Sequence, residues 1–419
     1  MKSIQVSKHM KVLKGKLALP ASKSISNRLL LIRALSGHDF NIHNLSEAED
    51  TKLLLRLLAE IHADGGSSRI LEMDTNNAGT VMRFLTAYLA TRPGKWMLTG
   101  SDRMKQRPVA VLAEALKSLG ASIDYLAKIG YPPILIKGQP VSGKEVAIDA
   151  GISSQYSTAL LLIAPYLPHG LLIHHKGLVV STPYIRMTTR LMQFYGARLK
   201  SGKTRINIHP GVYKSRDFKV ESDWSAAAFW YEAAVFAEEV DLEIFGLFSN
   251  SLQGDSILPS IYQNFGIRTE FNDNGIRLTR SRKKVDGFYF DFTDYPDIAP
   301  SVIATCAVLG IRSRFEGLRS LRIKESDRLN ALKNELEKIG VEIIVSGPGD
   351  VMPSLEFKSF KPGFSSDLTF ETYGDHRMAM TFAPMALKCG TVRIMNPDVV
   401  VKSYPGFWKH LQDLGFEIH

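Results

Sequence analysis

Six times along the chain a polar cluster opens directly into an apolar segment of helical length, over residues 22–36, 77–91, 153–167, 223–237, 297–309 and 375–387. Counted from Ser22, the starts lie 55, 76, 70, 74 and 78 residues apart. Runs such as Ala-Leu-Leu-Leu-Ile-Ala at 159–164 and Ala-Ala-Ala-Phe-Trp at 226–230 are apolar nearly all round. A helix of that kind has to be enclosed on every side, so these segments belong at the centre of a domain. Between them fall helices with charged faces, at 48–63, 108–119, 182–195, 256–265, 325–339 and 407–414. Short alternating runs, such as Val-Ala-Ile-Asp at 146–149, Arg-Ile-Asn-Ile-His at 205–209 and Thr-Val-Arg-Ile at 391–394, read as strands. Gly120, Gly196, Gly266 and Gly340 each follow one of the charged helices, where C-terminal caps belong. The pattern predicts about six copies of a strand–helix–strand–helix unit, with a period longer than that of common solenoid repeats.

A chain of 419 residues has room for two or three domains, or two large ones. Its 45% hydrophobic and 22% charged residues are ordinary for a globular protein with a substantial core. The longest apolar runs are too short to span a bilayer. The early lysines Lys2, Lys8, Lys11, Lys14 and Lys16 have no apolar run between them, which argues against a secretory signal. Cys306 and Cys389 alone cannot make a disulfide framework or a zinc site, and they fit a reducing cytoplasm. The net charge of 52 − 42 = +10 points to nucleic acid, an anionic membrane surface or acidic small substrates. There is no long Lys/Arg run and no basic amphipathic helix. Many cations stand singly beside Gly, Ser or Asp at helix starts, a pattern that suits focused anion pockets better than a broad basic face.

The helix starts themselves carry the chemistry. At 20–28, Pro-Ala-Ser-Lys-Ser-Ile-Ser-Asn-Arg puts two cations, Lys23 and Arg28, and two hydroxyls, Ser22 and Ser24, where unpaired N–H groups and the positive dipole end already favour an anion. The plain alternative is a serine cap with two solvated charges. Asn77-Ala-Gly79-Thr80 lets a ligand approach the backbone at Gly79, or is simply an Asn cap. Arg103, Lys105 and Arg107 precede a helix opened by Pro108, where three cations oppose the dipole and call for an anion. Ser153-Ser154-Gln155 and Ser181-Thr182-Pro183-Tyr184 offer hydroxyls and an amide without formal charge. Asp297 stands at a helix start as a cap, as a catalytic carboxylate, or as both. Lys324 and Arg328, set four apart, are expected on one helical face, where an anion between them would reverse their repulsion; Glu325 beside them is a candidate proton carrier. Arg377 and Lys402 add further cations. No metal signature appears around His43, His62, His174 or His175. Walker, dinucleotide and Gly-x-Ser-x-Gly patterns are absent.

Together these blocks resemble the 5-enolpyruvylshikimate-3-phosphate (EPSP) synthase, or 3-phosphoshikimate 1-carboxyvinyltransferase, family. The resemblance rests on 20–28, Asn-Ala-Gly-Thr at 77–80, Arg-Met-Lys-Gln-Arg-Pro at 103–108, Ser-Ser-Gln at 153–155, Ser-Thr-Pro-Tyr at 181–184, Pro-Asp at 296–297, Lys-Glu-Ser-Asp-Arg at 324–328 and Asp-His-Arg-Met-Ala-Met at 375–380, in family order over essentially the whole chain. It implies an α/β fold, a two-domain inside-out α/β barrel (the enolpyruvyl transferase fold) with six βαβαββ repeats, three per domain. The implied N-terminal domain is 20–221, on the shikimate-phosphate side. The C-terminal domain is 1–19 plus 222–419, with the active site in the cleft between the two.

The implied reaction transfers the enolpyruvyl group of phosphoenolpyruvate to the 5-hydroxyl of shikimate 3-phosphate, releasing phosphate. The resemblance assigns Lys23, Ser24, Arg28, Ser153, Ser154, Gln155, Ser181, Asp297 and Lys324 to shikimate 3-phosphate. It assigns Lys23, Asn77, Gly79, Arg107, Gln155, Arg328, Arg377 and Lys402 to phosphoenolpyruvate. Asp297 is the implied base for the 5-hydroxyl, and Glu325 with Lys23 the implied proton carriers. No cofactor and no metal are implied. The expected partners are small anions, with glyphosate as inhibitor; nucleic acid and membrane are not expected, and the expected form is a cytoplasmic monomer.

Two departures stand out. Ser320 occupies a place where many members have Asn, and Phe84 one where many have Pro; Phe84 reads as packing, with the possibility of tilting the helix that carries Gly79. The rival within the fold is UDP-N-acetylglucosamine enolpyruvyl transferase, whose mobile loop typically carries a reactive Cys that 101–108 lacks. A rival of another class is a nucleic-acid-binding or RNA-end-processing protein of similar fold, against which the lack of aromatics among the basic clusters argues.

Overall fold

The six apolar segments are helices, and their burial follows from their composition. All residues of Ala299–Val308 and His376–Phe382 are buried. In Gly79–Ala90, Ser154–Ile163 and Trp224–Phe236 one residue each escapes full burial: Thr80, Gln155 and Ser225, in every case the second residue of the helix. Such helices have one accessible end, and it is the polar N-terminal one. Each fully buried Leu or Ile along them contributes roughly 2 kcal/mol.

The structure, a computed structural model, describes residues 2–281, 285–346, 353–358, 360–365 and 368–419. The chain divides into two compact units, one of residues 23–220 and one of 1–22 with 221–419. Within the first, Lys23–Ser36, Gly79–Ala90 and Ser154–Ile163 pack on one another; within the second, Trp224–Phe236, Ala299–Val308 and His376–Phe382 do the same.

Among the described residues small sheets surround these helices, three in each unit, all but one of them mixed. In one, Ile70–Asp74 runs parallel to Gly94–Thr99, which pairs antiparallel with Ile134–Gly138, and that strand with Ser122–Tyr125. Four other sheets repeat this order. The parallel pair needs a crossover, and the crossover is the apolar helix, here Gly79–Ala90. Its N-terminus therefore sits just beyond the carboxyl end of the first strand, the position at which open α/β units bind ligands. The strands alternate, as in Glu145–Asp149, where Val146 and Ile148 face in.

Two sheets of the second unit are completed by the start of the chain. Val12–Ala18 lies parallel to Glu239–Phe245, and Ser3–Ser7 pairs antiparallel with Thr391–Met395 and Glu417–Ile418. The repeat containing Lys23–Ser36 has the shortest sheet, Phe218–Lys219 parallel to Ile42–His43. Where the chain leaves and rejoins the second unit, its two segments run side by side, with Ser22 N donating to Glu221 O and Asp223 N to Pro20 O, both at 2.9 Å.

Some helix boundaries differ from the sequence expectation, for local reasons. Pro165 and Pro384 lack an N–H and crowd the preceding turn, so the first segment ends as a 3-10 turn at Ala164–Tyr166, while the second is interrupted by one at Ala383–Met385 and resumes as a helix at Ala386–Cys389. The helix expected at 108 begins at Ala110, and the one expected at 325 begins at Arg328. Gly266 and Gly340 close their helices in the left-handed region, with φ of 79° and 82°.

Candidate active site

In the unit of residues 23–220, Arg28 is a buried cation. It is 4% exposed and sits one turn into its helix. Its Nε donates to Thr188 Oγ1 at 2.8 Å and its Nη1 to Ser24 O at 2.7 Å, while Nη2 reaches Thr158 Oγ1 and Tyr184 O at 3.5 Å. Every one of these acceptors is formally neutral. Burial pulls the guanidinium down to about 10, with only the Tyr184 phenol opposing. A buried cation held by neutral acceptors is poised for an anion. Its partners come from the helices that begin at Ser154 and Thr182, so Arg28 gathers three polar starts at one point. Phe84 is fully buried, with its ring 5.7 Å from the Arg28 guanidinium carbon, which agrees with a packing role.

Ser153 accepts from Gln155 N at 3.2 Å as a true cap, and Ser154 is buried. Ser181 is buried too and has φ of 54°, a conformation that strains a residue with a Cβ and that clusters at functional sites. Gln155 Nε2 donates to Thr80 Oγ1 at 3.2 Å and so joins the second and third helix starts. Asn77 is no cap: its carbonyl and its Oδ1 accept from Arg107 Nη1 at 3.0 and 3.2 Å. Arg107 lies across Gly79, where a Cβ would come within 2.9 Å of its guanidinium carbon. Lys23 opens its helix and donates to Asp50 at 2.9 Å.

In the other unit the charges interlock around Asp297. Its carboxylate takes Lys324 Nζ at 3.3 Å, Arg328 Nη1 at 3.4 Å and Arg377 Nη2 at 3.4 Å, and its backbone carbonyl accepts Arg377 Nη1 at 2.7 Å. The following helix starts at Ala299 without a side-chain cap, so Asp297 is not a cap. Arg328, 1% exposed, also binds Glu325 at 2.8 Å and both oxygens of Asp375, at 2.7 and 3.1 Å. Its own burial pulls it down, but Asp375, Glu325 and Asp297 more than offset this and hold it above the usual Arg value. Lys402 is buried at the end of the 3-10 segment Pro397–Lys402, which packs on the helix carrying Arg377.

The expectation for Lys324 and Arg328 is corrected. They do not share a helical face, because Lys324 is extended and the helix begins only at Arg328. The anion between them is supplied by the protein, as Asp297. The charge excess also needs refining. Residues 23–220 hold 26 Lys/Arg and 14 Asp/Glu, a net +12, and the remainder holds 26 and 28, a net −2. From Lys176 to Lys219 there are ten cations, all exposed, and one acid, so much of this unit's excess lies in that stretch of the chain.

Several acids escaped the sequence reading, three of them near the cations above. Asp50 looked like part of a solvated helix face; Asp375 sat in a motif valued for Arg377; nothing singled out Asp255. Asp255 is buried, accepts from the Ser225 hydroxyl through one oxygen and has no hydrogen-bond partner on the other. Burial, and then the charge of Asp297, push its carboxyl up to about 7, against Ser225 and Arg377. Among the described residues no group of three or more His, Cys, Asp or Glu could hold a metal, and no helix is long and apolar enough to cross a membrane.

The chain matches the family described as EPSP synthase (3-phosphoshikimate 1-carboxyvinyltransferase) over residues 7–411. It is 43% identical over 407 residues to a 3-phosphoshikimate 1-carboxyvinyltransferase of Bacteroides fragilis, covering 97% of this chain and 96% of the relative. It is 33% identical over 432 residues to the protein of the same name from Sulfurovum sp., covering 97% and 98%. Among solved structures, EPSP synthase from Acinetobacter baumannii aligns over 100% of both chains with a TM-score of 0.76 at 21% identity. The enolpyruvyl transferase NikO from Streptomyces tendae aligns over 100% of this chain and 98% of that one, with a TM-score of 0.73 at 18% identity. These two support the fold, which is the one the repeats imply.

Proposed function

The chain belongs to the EPSP synthase (3-phosphoshikimate 1-carboxyvinyltransferase) family, and we propose that it transfers the enolpyruvyl group of phosphoenolpyruvate to the 5-hydroxyl of shikimate 3-phosphate, a step of the shikimate pathway. The observation that carries this reading is that each unit holds preorganised cations: Arg28, buried among neutral acceptors, in one, and the Asp297–Lys324–Arg328–Arg377 cluster in the other. The two substrates bring two phosphates and two carboxylates, each phosphate monoester roughly −1.5 to −2 near neutral pH. Sites for so much charge need several preorganised cations.

In this reading Arg28, Ser24, Ser153, Ser154, Ser181 and Lys324 bind shikimate 3-phosphate. Asn77, Gly79, Arg107, Arg328, Arg377 and Lys402 bind phosphoenolpyruvate, and Lys23 and Gln155 serve both. Asp297 takes the proton of the 5-hydroxyl as its oxygen bonds to C2 of phosphoenolpyruvate. The methylene carbon gains a proton from Glu325 or Lys23 in the same step. The tetrahedral adduct then expels phosphate and returns a proton from its methyl group, restoring the enol ether. Fixed Arg and Lys side chains stabilise the charge that develops without reorganising. Asp297 can reach a hydroxyl because it is spent on no helix cap and is oriented by three cations.

The related transfer to UDP-N-acetylglucosamine is disfavoured by the cysteines. Cys306 is enclosed in an inner helix and Cys389 largely covered, and burial pushes both thiols up to about 12, so neither offers a thiolate. The same reading makes glyphosate an inhibitor and the active form a cytoplasmic monomer. The deciding experiment is a coupled phosphate-release assay with both substrates. Turnover that requires both is expected, and folded protein that releases no phosphate overturns the reading.

A further inference from the structure

Residues 371–375 turn from the strand Leu368–Phe370 into the helix that carries Arg377. Tyr373 and Gly374 both lie in the left-handed region, with φ of 54° and 68°. For a residue with a bulky side chain that conformation costs about 1 kcal/mol or more, and it persists only where neighbours over-determine it. Here most of the neighbours come from one helix, Arg328–Leu336, and Ser326 Oγ, just ahead of it, also donates to Asp375 at 3.1 Å. At its start Arg328 grips Asp375 through both carboxylate oxygens, at 2.7 and 3.1 Å. Two turns later Glu335, 1% exposed, accepts the Tyr373 hydroxyl at 2.7 Å, Glu371 N at 3.0 Å and Lys338 Nζ at 2.5 Å.

Positions seven apart share a helical face. One face of one helix thus holds the turn at both ends, by a cation on Asp375 and by an anion on the Tyr373 hydroxyl and the Glu371 amide. The far end of the turn is where Asp375 caps the next helix, accepting Arg377 N at 3.0 Å. Burial and then the bond to Glu335 push the Tyr373 phenol up to about 12, so it stays a donor through the neutral range.

We propose that Glu335 and Tyr373 are positioning residues for the transfer reaction: they lock the turn that sets Asp375 and Arg377 for phosphoenolpyruvate, without touching substrate. The inference rests on the role given to Arg377 above. Glu335 had no place in the sequence reading, because a Glu in the middle of a charged helix looks like a solvated residue.

The test compares the full chain with Tyr373→Phe and Glu335→Gln by steady-state kinetics and by amide hydrogen exchange. Tyr373→Phe removes one hydroxyl from a residue whose ring is half exposed, so the fold is expected to persist with Tm within about 2 °C. The KM for phosphoenolpyruvate should rise about tenfold, the loss of one hydrogen bond to a charged acceptor. The KM for shikimate 3-phosphate should stay within about twofold, and amides 371–377 should exchange about tenfold faster. Glu335→Gln keeps an acceptor for the phenol and should give a smaller, about threefold, rise. The double variant should be no worse than Tyr373→Phe alone, because the pair acts as one unit. Unchanged KM for phosphoenolpyruvate, equal rises for both substrates, or unchanged exchange across the turn would each overturn the proposal. A parent protein that releases no phosphate from the two substrates overturns the assigned function instead, and the exchange measurement still decides whether the pair locks the turn.

Discussion

Lys23 donates to Asp50 across 2.9 Å, with side chains 16% and 5% exposed, so the cation at the first helix start is tethered by an acid from the next helix. Asp50 stands in the first turn of Glu49–Asp64, where the dipole favours an acid. Asp50→Ala should therefore cost about 2–4 kcal/mol in urea unfolding, since a partly buried charge loses its carboxylate. Asp50→Asn keeps an acceptor and should cost about 1–2 kcal/mol. In both variants Lys23 is less well placed, and kcat/KM in the phosphate-release assay should fall more than tenfold for Ala, about 1.4 kcal/mol of transition-state stabilisation. An Ala variant of parental stability and activity would mean the tether does nothing.

Asp297 is surrounded by Lys324, Arg328 and Arg377 at 3.3–3.4 Å. If it is the base for the 5-hydroxyl, Asp297→Ala should lower kcat by about 10²- to 10⁴-fold. Binding of shikimate 3-phosphate, followed by calorimetry, should be retained or tighten, because the variant removes an anion from beside an anionic ligand. Near-normal turnover would take the base role away from this residue.

Gly79 leaves room for Arg107, whose guanidinium carbon lies 2.9 Å from where an alanine Cβ would stand. Arg107 is anchored on Asn77 and must shift to accept it. The backbone itself tolerates Ala at a helix start, so stability should change by less than about 1 kcal/mol. The expected result is selective: KM for phosphoenolpyruvate rises about tenfold, 1.4 kcal/mol, while KM for shikimate 3-phosphate stays put. Glyphosate inhibition should weaken in parallel. Initial-rate kinetics with each substrate varied separately would show the split, and a matching rise in both KM values would contradict it.

The fold was legible because the periodicity of its apolar helices is a whole-chain property. A helix such as Ala299–Val308 can only be central, and its repetition at near-constant spacing implies the repeated sheets. Lys23, Arg28 and Arg377 could be found because cations at a helix start run against the dipole and so attract notice. The buried acids around them could not. Asp50, Asp375 and Glu335 sit on helices or caps where an acid is unremarkable, and only the packing of distant segments turns them inward. Asp297 shows the other side of this limit. A cap and a carboxylate held by cations look alike in sequence, and the structure excludes the cap by starting the helix at Ala299 and placing the side chain among three cations. The breaks at Pro165 and Pro384 were readable in principle, since proline in a helix interior removes a hydrogen bond and crowds the preceding turn.

Asp255 makes stability depend on pH in a direction opposite to that of a paired carboxylate. Burial, followed by the charge of Asp297, raises its carboxyl to about 7, and one oxygen has no hydrogen-bond partner. The unfolded chain ionises it near the ordinary value of about 3.9, so between about pH 4 and 7 the folded state holds more protons and stability falls as pH rises; above 7 the loss is complete. At 1.36 kcal/mol per unit the ceiling is about 4 kcal/mol. Asp255→Asn removes this penalty while keeping an acceptor for Ser225. Relative to the parent, the variant should gain stability steadily from pH 4 to pH 7, by about 2 kcal/mol or more, with no further gain at pH 8. Glu232 is a second buried acid in the same unit. Neither of its oxygens has a hydrogen-bond partner, and burial pushes it well above the ordinary value. Glu232→Gln should shift the profile in the same sense. Urea unfolding of parent and variants at pH 4, 5.5, 7 and 8 measures the differences directly, and a gap that stays constant with pH would show that Asp255 is ionised in the folded state throughout.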